Sequence, residues 1–151
     1  MSESVEKLPV HTCWALLGAN EVGRLAVVVD AHPDIFPINY VVDHGTLVFR
    51  SAEGTKLAGA LSDVPVALEA DGYDPATSTA WSVVVKGRAE PVRDIEDLIH
   101  TVDLPLFPWQ AGAKNRFIRI HPEVVTGRRF PVADPDVWRT PHSGMRRSPT
   151  D

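Results

Sequence analysis

Phe36-Pro37-Ile38-Asn39-Tyr40, a turn at Asp43-His44-Gly45, and Leu47-Val48-Phe49-Arg50-Ser51-Ala52-Glu53-Gly54-Thr55-Lys56 decide how this chain is read. An apolar strand delivers one cation, Arg50, and a short polar turn with Ser51, Gly54 and Thr55 delivers another, Lys56. Two cations, two hydroxyls and backbone N–H groups beside a glycine are what a phosphate monoester requires. Taken alone, Arg50 and Lys56 read first as solvated charges on a hairpin. The phosphate reading needs support from the rest of the chain.

Working outward, residues 22–30 are rich in β-branched residues and read as a strand, and residues 35–42 return after a turn at His32-Pro33-Asp34. Residues 46–51 form a third strand after the Asp43-His44-Gly45 turn, so the three make an antiparallel meander. Ahead of them, residues 10–17 suit a short amphipathic helix ending at Gly18, with Cys13 on its buried face. Beyond them, residues 57–61 suit a brief helix and residues 64–70 a strand, followed by a loop over 71–75. Residues 80–92 read as a long strand with Gly87 at a bulge or close approach. Asp94 can cap a helix over 95–102, residues 104–115 form a loop carrying Phe107 and Trp109, and residues 117–120 and 123–130 are the last strands. Six or seven antiparallel strands with short flanking helices predict a mainly β protein, a small closed or half-open barrel.

The 151 residues suit one domain, with 1–8 a flexible N-terminus, 9–132 the folded unit and 133–151 a mobile tail. A net charge of −5 argues against general nucleic-acid binding. No apolar run approaches the ~20 residues of a membrane span. One cysteine rules out an internal disulfide and fits a cytoplasmic protein. The six histidines show no ligand spacing, so no metal site is expected. Arg24 reads either as a strand-end arginine paired with Glu21 or a later acid, or as a group facing substrate. Neither a nucleophile elbow nor a dinucleotide-binding glycine loop is present.

The order of these pieces resembles the pyridoxamine 5′-phosphate oxidase-like, flavin-binding split barrels. Ile120-His121-Pro122-Glu123-Val124-Val125-Thr126-Gly127-Arg128 resembles that family's closing strand, and the likeness covers residues 10–130. The resemblance implies FMN, with Thr55 and Lys56 at its phosphate, and Arg50 and Ser51, after Phe49, completing the cradle. It places Pro37, Ile38 and Asn39 along the flavin ring and Ser82 against the flavin of a partner subunit in a homodimer. Trp81 is either a site residue or core filler. Trp109 stacks over flavin or substrate, or plugs a dimer interface; Lys114 and Arg116 follow it.

The namesake enzyme ends in an arginine and a histidine, two apart, that hold its substrate's phosphate. Here Arg129-Phe130-Pro131 follows Arg128 and no such pair follows; Arg119 and His121 have the spacing but precede the last strand. The resemblance therefore implies a flavin-dependent oxidoreductase acting on another small molecule, not pyridoxamine phosphate oxidation. The alternative is a carrier that binds a flavin, a deazaflavin or a haem without turnover.

Overall fold

The computed structural model describes residues 4–51, 61, 63–94, 97, 100 and 116–133. Along them run β1 (Glu6–Lys7), α1 (Val10–Ala19), β2 (Val22–Val29), β3 (His32–Asp43), β4 (Thr46–Ser51), β5 (Val64–Asp74), β6 (Thr79–Pro91) and β7 (Arg116–Pro131). The strands form one seven-stranded antiparallel sheet in the order β1-β7-β4-β3-β2-β5-β6. Because β6 also pairs β7, the sheet closes on itself, leaving β1 attached to the far half of β7. This is the mainly β split barrel that the sequence predicts.

Period-two patterning explains which side of each strand faces inward. In β2, Leu25, Val27 and Val29 are buried while Arg24, Ala26 and Val28 face out. Ile38 and Tyr40 of β3, Leu47 and Phe49 of β4, Leu68 of β5, Val83 and Val85 of β6, and Ile118 and Ile120 of β7 complete the core. Each fully buried aliphatic or aromatic side chain contributes about 1.5–3 kcal/mol.

Helix α1 begins after Pro9, whose carbonyl accepts the N–H groups of Thr12 and Cys13. It packs on β7, β3 and β6. Cys13 and Leu17 are fully buried there, and the Tyr40 hydroxyl donates to the Leu17 carbonyl at 2.8 Å. A Cβ on Gly127 would lie 2.5 Å from Cys13 Sγ, so only glycine lets the helix approach β7 this closely.

Several boundaries differ from the sequence reading. The β2–β3 turn falls at Asp30-Ala31, both at positive φ (51° and 65°), and not at His32-Pro33-Asp34. His32 and Pro33 instead pair with Val29 and Val28. Proline is tolerated there because β4 meets β3 only at Tyr40–Asp43, leaving the Pro33 stretch unpaired on that side. Residues 71–74, expected in a loop, extend β5, and the turn comes at 75–78. The two last strands are one, β7, continuous through Pro122 by means of a bulge opposite Lys86/Gly87. The bulge absorbs the proline. Gly87 is the close approach anticipated for it, since a Cβ would collide with the His121 carbonyl oxygen. Helix α1 passes Gly18 and ends at Ala19. Within the stretch expected to be flexible, Glu6 and Lys7 pair with Arg129 and Arg128, and Leu8 joins the core.

The expected helix over 57–61, the loop over 104–115 and the tail fall largely or wholly outside the described residues, as do Thr55, Lys56, Trp109 and Lys114. Of the helix expected over 95–102, Asp97 and His100 are described, and Asp97 donates its backbone N–H to Asp94 Oδ1 at 3.2 Å. That contact is the N-cap anticipated for Asp94. No helix among the described residues is long and apolar enough to cross a membrane.

Candidate functional site

Strand alternation sorts the predicted site residues onto two sides of the barrel wall. Ile38 and Phe49 point into the core, so only their backbone atoms can serve a ligand. Ser51 follows the parity of Leu47 and Phe49 and is only 4% exposed. Its hydroxyl therefore does not share a face with Arg50. Asn39, Arg50 and Phe117 lie on the outer face of adjacent strands β3, β4 and β7, with Arg50 paired to Phe117 in register. The Arg50 guanidinium carbon lies 5.2 Å from the centroid of the Phe117 ring, a cation–π arrangement that fixes the side chain along the wall. Pro37 is exposed at the strand's approach to this patch.

Asn39 Oδ1 is buried and has no hydrogen-bond partner among the described residues. A buried amide oxygen without a donor costs about 1–3 kcal/mol. Such an atom is a feature of a surface shaped for something else to dock.

Trp81 and Ser82 sit on β6 and face opposite ways. Trp81 packs against the core and across Gly72, whose Cβ would lie 2.5 Å from the indole Nε1. Ser82 faces outward in register with Arg128, which is itself in register with Lys7. Together with Val84 and Thr126 they line a shallow hollow of about 350 Å³ carrying two cations and two hydroxyls. Along β7, nine residue steps run from Phe117 to Thr126 at the hollow, roughly 30 Å of strand at ~3.3 Å per residue. The fold places Asn39 and Arg50 on adjacent strands, and holds Ser82 apart from them within one chain.

Arg24 donates to Glu69 at 2.9 Å and to Asp71 at 2.8 Å, pairing with later acids and not with Glu21. Burial, with Asp71 beside it, raises the Glu69 carboxyl even against the Arg24 guanidinium.

A further constellation was not legible in the spacing. Asp43, at the end of β3, is 7% exposed. Its Oδ2 accepts from Arg119 Nη1 at 2.8 Å, while His44 Nδ1 and His100 Nε2 stand 2.9 and 3.0 Å from its Oδ1. Arg119 also donates to Thr46 Oγ1 and to Asp97 Oδ1, both at 2.6 Å. Burial would raise the Asp43 carboxyl, but hydrogen bonds from His100, Arg119 and His44 outweigh it and hold it at about 2. His100 stands 57 residues from Asp43 in the sequence, so no local motif announces the group.

The chain matches the family described as pyridoxamine 5′-phosphate oxidase over residues 9–129. An uncharacterised protein of Mycobacterium tuberculosis is 39% identical over 138 residues, covering 88% of this chain and 90% of that one. Among solved structures, the FAD binding protein from Mycobacterium smegmatis shares 41% identity with a TM-score of 0.74, covering 83% of this chain and 98% of that one. A FAD-binding protein from Mesorhizobium loti shares 29% identity with a TM-score of 0.70, covering 83% and 97%. Both likenesses extend over nearly the whole of those chains and over the same barrel. By its sequence and its closed antiparallel sheet, the chain belongs to the pyridoxamine 5′-phosphate oxidase family.

Proposed function

We propose that this protein binds a flavin on the outer face of β3, β4 and β7 and uses it to exchange electrons with a small molecule. The observation that carries the reading is Asn39 Oδ1, a buried acceptor with no donor among the described residues, on the strand next to the one that carries Arg50. The residues fit the group. A flavin ring offers an imide N–H for such an acceptor, and its carbonyl oxygens and phosphate are matched by cations. When bound, the flavin supplies hydride or single-electron transfer. Asn39 would then orient the ring edge, Arg50 would hold negative charge, and the Phe117 ring would keep the guanidinium in place.

The phosphate cradle that the resemblance implies, with Arg50, Thr55 and Lys56, suits FMN, whereas the two solved relatives above are FAD-binding proteins. Both forms share the ring and the first phosphate. FAD is therefore tested beside FMN.

The distance between Arg50 and the Ser82 hollow supports a site completed by a second copy of the chain, with the partner's Ser82 reaching the cofactor. The namesake reaction is not proposed, because no arginine and histidine two apart follow Arg128.

Mass spectrometry of the small molecule released from the purified protein tests the reading. FAD or FMN at one per chain is the expected result. A colourless protein that takes up neither flavin, or one carrying haem, overturns it. Flavin reduction by NADH or NADPH, followed by reoxidation with an acceptor, separates an enzyme from a carrier. Gel filtration at twice the chain mass is expected if the site is shared.

A further inference from the structure

We propose that Asp43, His44 and His100 bind a divalent transition metal of the zinc class, which clasps the β3–β4 hairpin to the segment carrying His100. The three side chains each offer one ligand atom, and all three atoms lie within 4.8 Å of one another. Two imidazole nitrogens stand 2.9 and 3.0 Å from the same carboxylate oxygen, a few tenths of an ångström inside the ~3.3–3.6 Å between neighbouring ligands of a tetrahedral ion bound at ~2.0–2.2 Å. The ring centroids are 5.9 Å apart and tilted by 49°, so the rings converge on Asp43 without stacking on each other.

The backbone contributes to this convergence. Along a strand, adjacent side chains point to opposite faces. His44 escapes that rule because it has φ +48° and Gly45 follows at +73°, which turns the imidazole back over the carboxylate of its own neighbour. Asparagine or glycine is the usual occupant of such a position, and here it is filled by a metal-ligating residue.

The surroundings supply the support that a ligand set needs. Arg119 takes Oδ2 of Asp43 and leaves Oδ1 facing the two rings. Arg119 is in turn held by Thr46 and Asp97, and the Thr46 hydroxyl donates to the Asp43 carbonyl at 2.6 Å. Among the described residues, two carboxylates, Asp43 and Asp97, face the one guanidinium of Arg119. His44 is 86% exposed and His100 47%, so both rings can make the remaining adjustment, and the fourth position opens to water. Without metal, each ring can donate an N–H to Asp43. With metal, the proton of each moves to the other ring nitrogen. Imidazole with carboxylate suits zinc, cobalt, nickel and copper, and not calcium or magnesium.

Untagged full-length protein, stripped with a chelator and titrated with zinc chloride in a calorimeter, tests the inference. One zinc per chain in the micromolar range or tighter is expected, with a rise in Tm. Cobalt substituted for zinc should give the visible bands of a low-coordinate site. Asp43→Asn risks the fold through Arg119, so His44→Asn serves instead. Asparagine tolerates positive φ and keeps the turn. It should lower the Tm of the stripped protein only slightly, by the loss of one exposed hydrogen bond to Asp43, while lowering zinc affinity about tenfold or more, with a larger loss in H44N/H100N. Absence of saturable zinc binding overturns the proposal. Equal affinity in wild type and H44N/H100N also overturns it, since the metal would then lie elsewhere.

Discussion

The Tyr40 hydroxyl, on β3, donates to the Leu17 carbonyl of α1 at 2.8 Å, so a phenol ties the helix that covers the core to the barrel. Tyr40→Phe keeps the ring and removes the bond. Because Leu17 O also accepts from Asn20 N, the expected loss is about 1 kcal/mol in urea unfolding. Burial pushes the Tyr40 phenol well above its ordinary range. The folded state thus holds this proton more tightly than the unfolded state. Its contribution is complete below a pH of about 10 and is lost as pH rises above that value. The stability–pH curve of Tyr40→Phe should be flatter on the alkaline side, and an equally steep curve would show that another group titrates.

Two glycines should respond in opposite directions to the same methyl group. Gly87→Ala drives a Cβ into the His121 carbonyl oxygen, backbone against backbone, and should cost about 3 kcal/mol or more. Gly18→Ala, inside α1 with nothing within 4 Å of the new Cβ, should stabilise by about 0.5–1 kcal/mol. Thermal unfolding of both variants against wild type measures the contrast. A neutral Gly87→Ala would mean that β6 and β7 can part at the bulge.

Arg119→Met retains the length of the side chain and removes its charge. Asp43, 7% exposed, would then keep its carboxylate without its guanidinium partner. Breaking such a pair should cost about 2–4 kcal/mol, read by denaturation with a chelator present. If the loss is negligible, the two histidines alone satisfy the carboxylate.

Asn39→Ala should separate cofactor binding from folding. In ligand-free protein it deletes a buried acceptor that has no donor among the described residues, so stability should hold or rise slightly. In flavin titration the same variant should bind roughly tenfold more weakly, the worth of one well-placed hydrogen bond at about 1.4 kcal/mol. A drop in ligand-free stability would instead make Asn39 a structural residue.

The strand pattern was readable where turn chemistry and alternation agreed. β4 matches the reading at both ends because Asp43-His44-Gly45 marks its start and apolar residues fill its length. The β2–β3 turn was missed because Ala31 carries no turn signal, whereas Pro33 carries a false one. Strand β1 is two residues long, too short for any periodicity to show. At the site, adjacency misled: Arg50 and Ser51 are neighbours in sequence and so point to opposite sides of the wall. The Asp43 group was invisible for a different reason, because the fold alone carries His100 to the hairpin.

Strand β7 is the shared seam of the barrel, pairing β4, β6 and β1. It also leaves the ribosome after every strand it joins. A nascent chain that has emerged only through β6 holds both β4 and β6 as open edges, each able to recruit a strand from another molecule. Vectorial synthesis therefore exposes this protein to mispairing until β7 arrives, and a translational stall before residue 116 should send it to the insoluble fraction. Supplying residues 116–131 as a separate peptide during synthesis should draw the stalled chain back into solution.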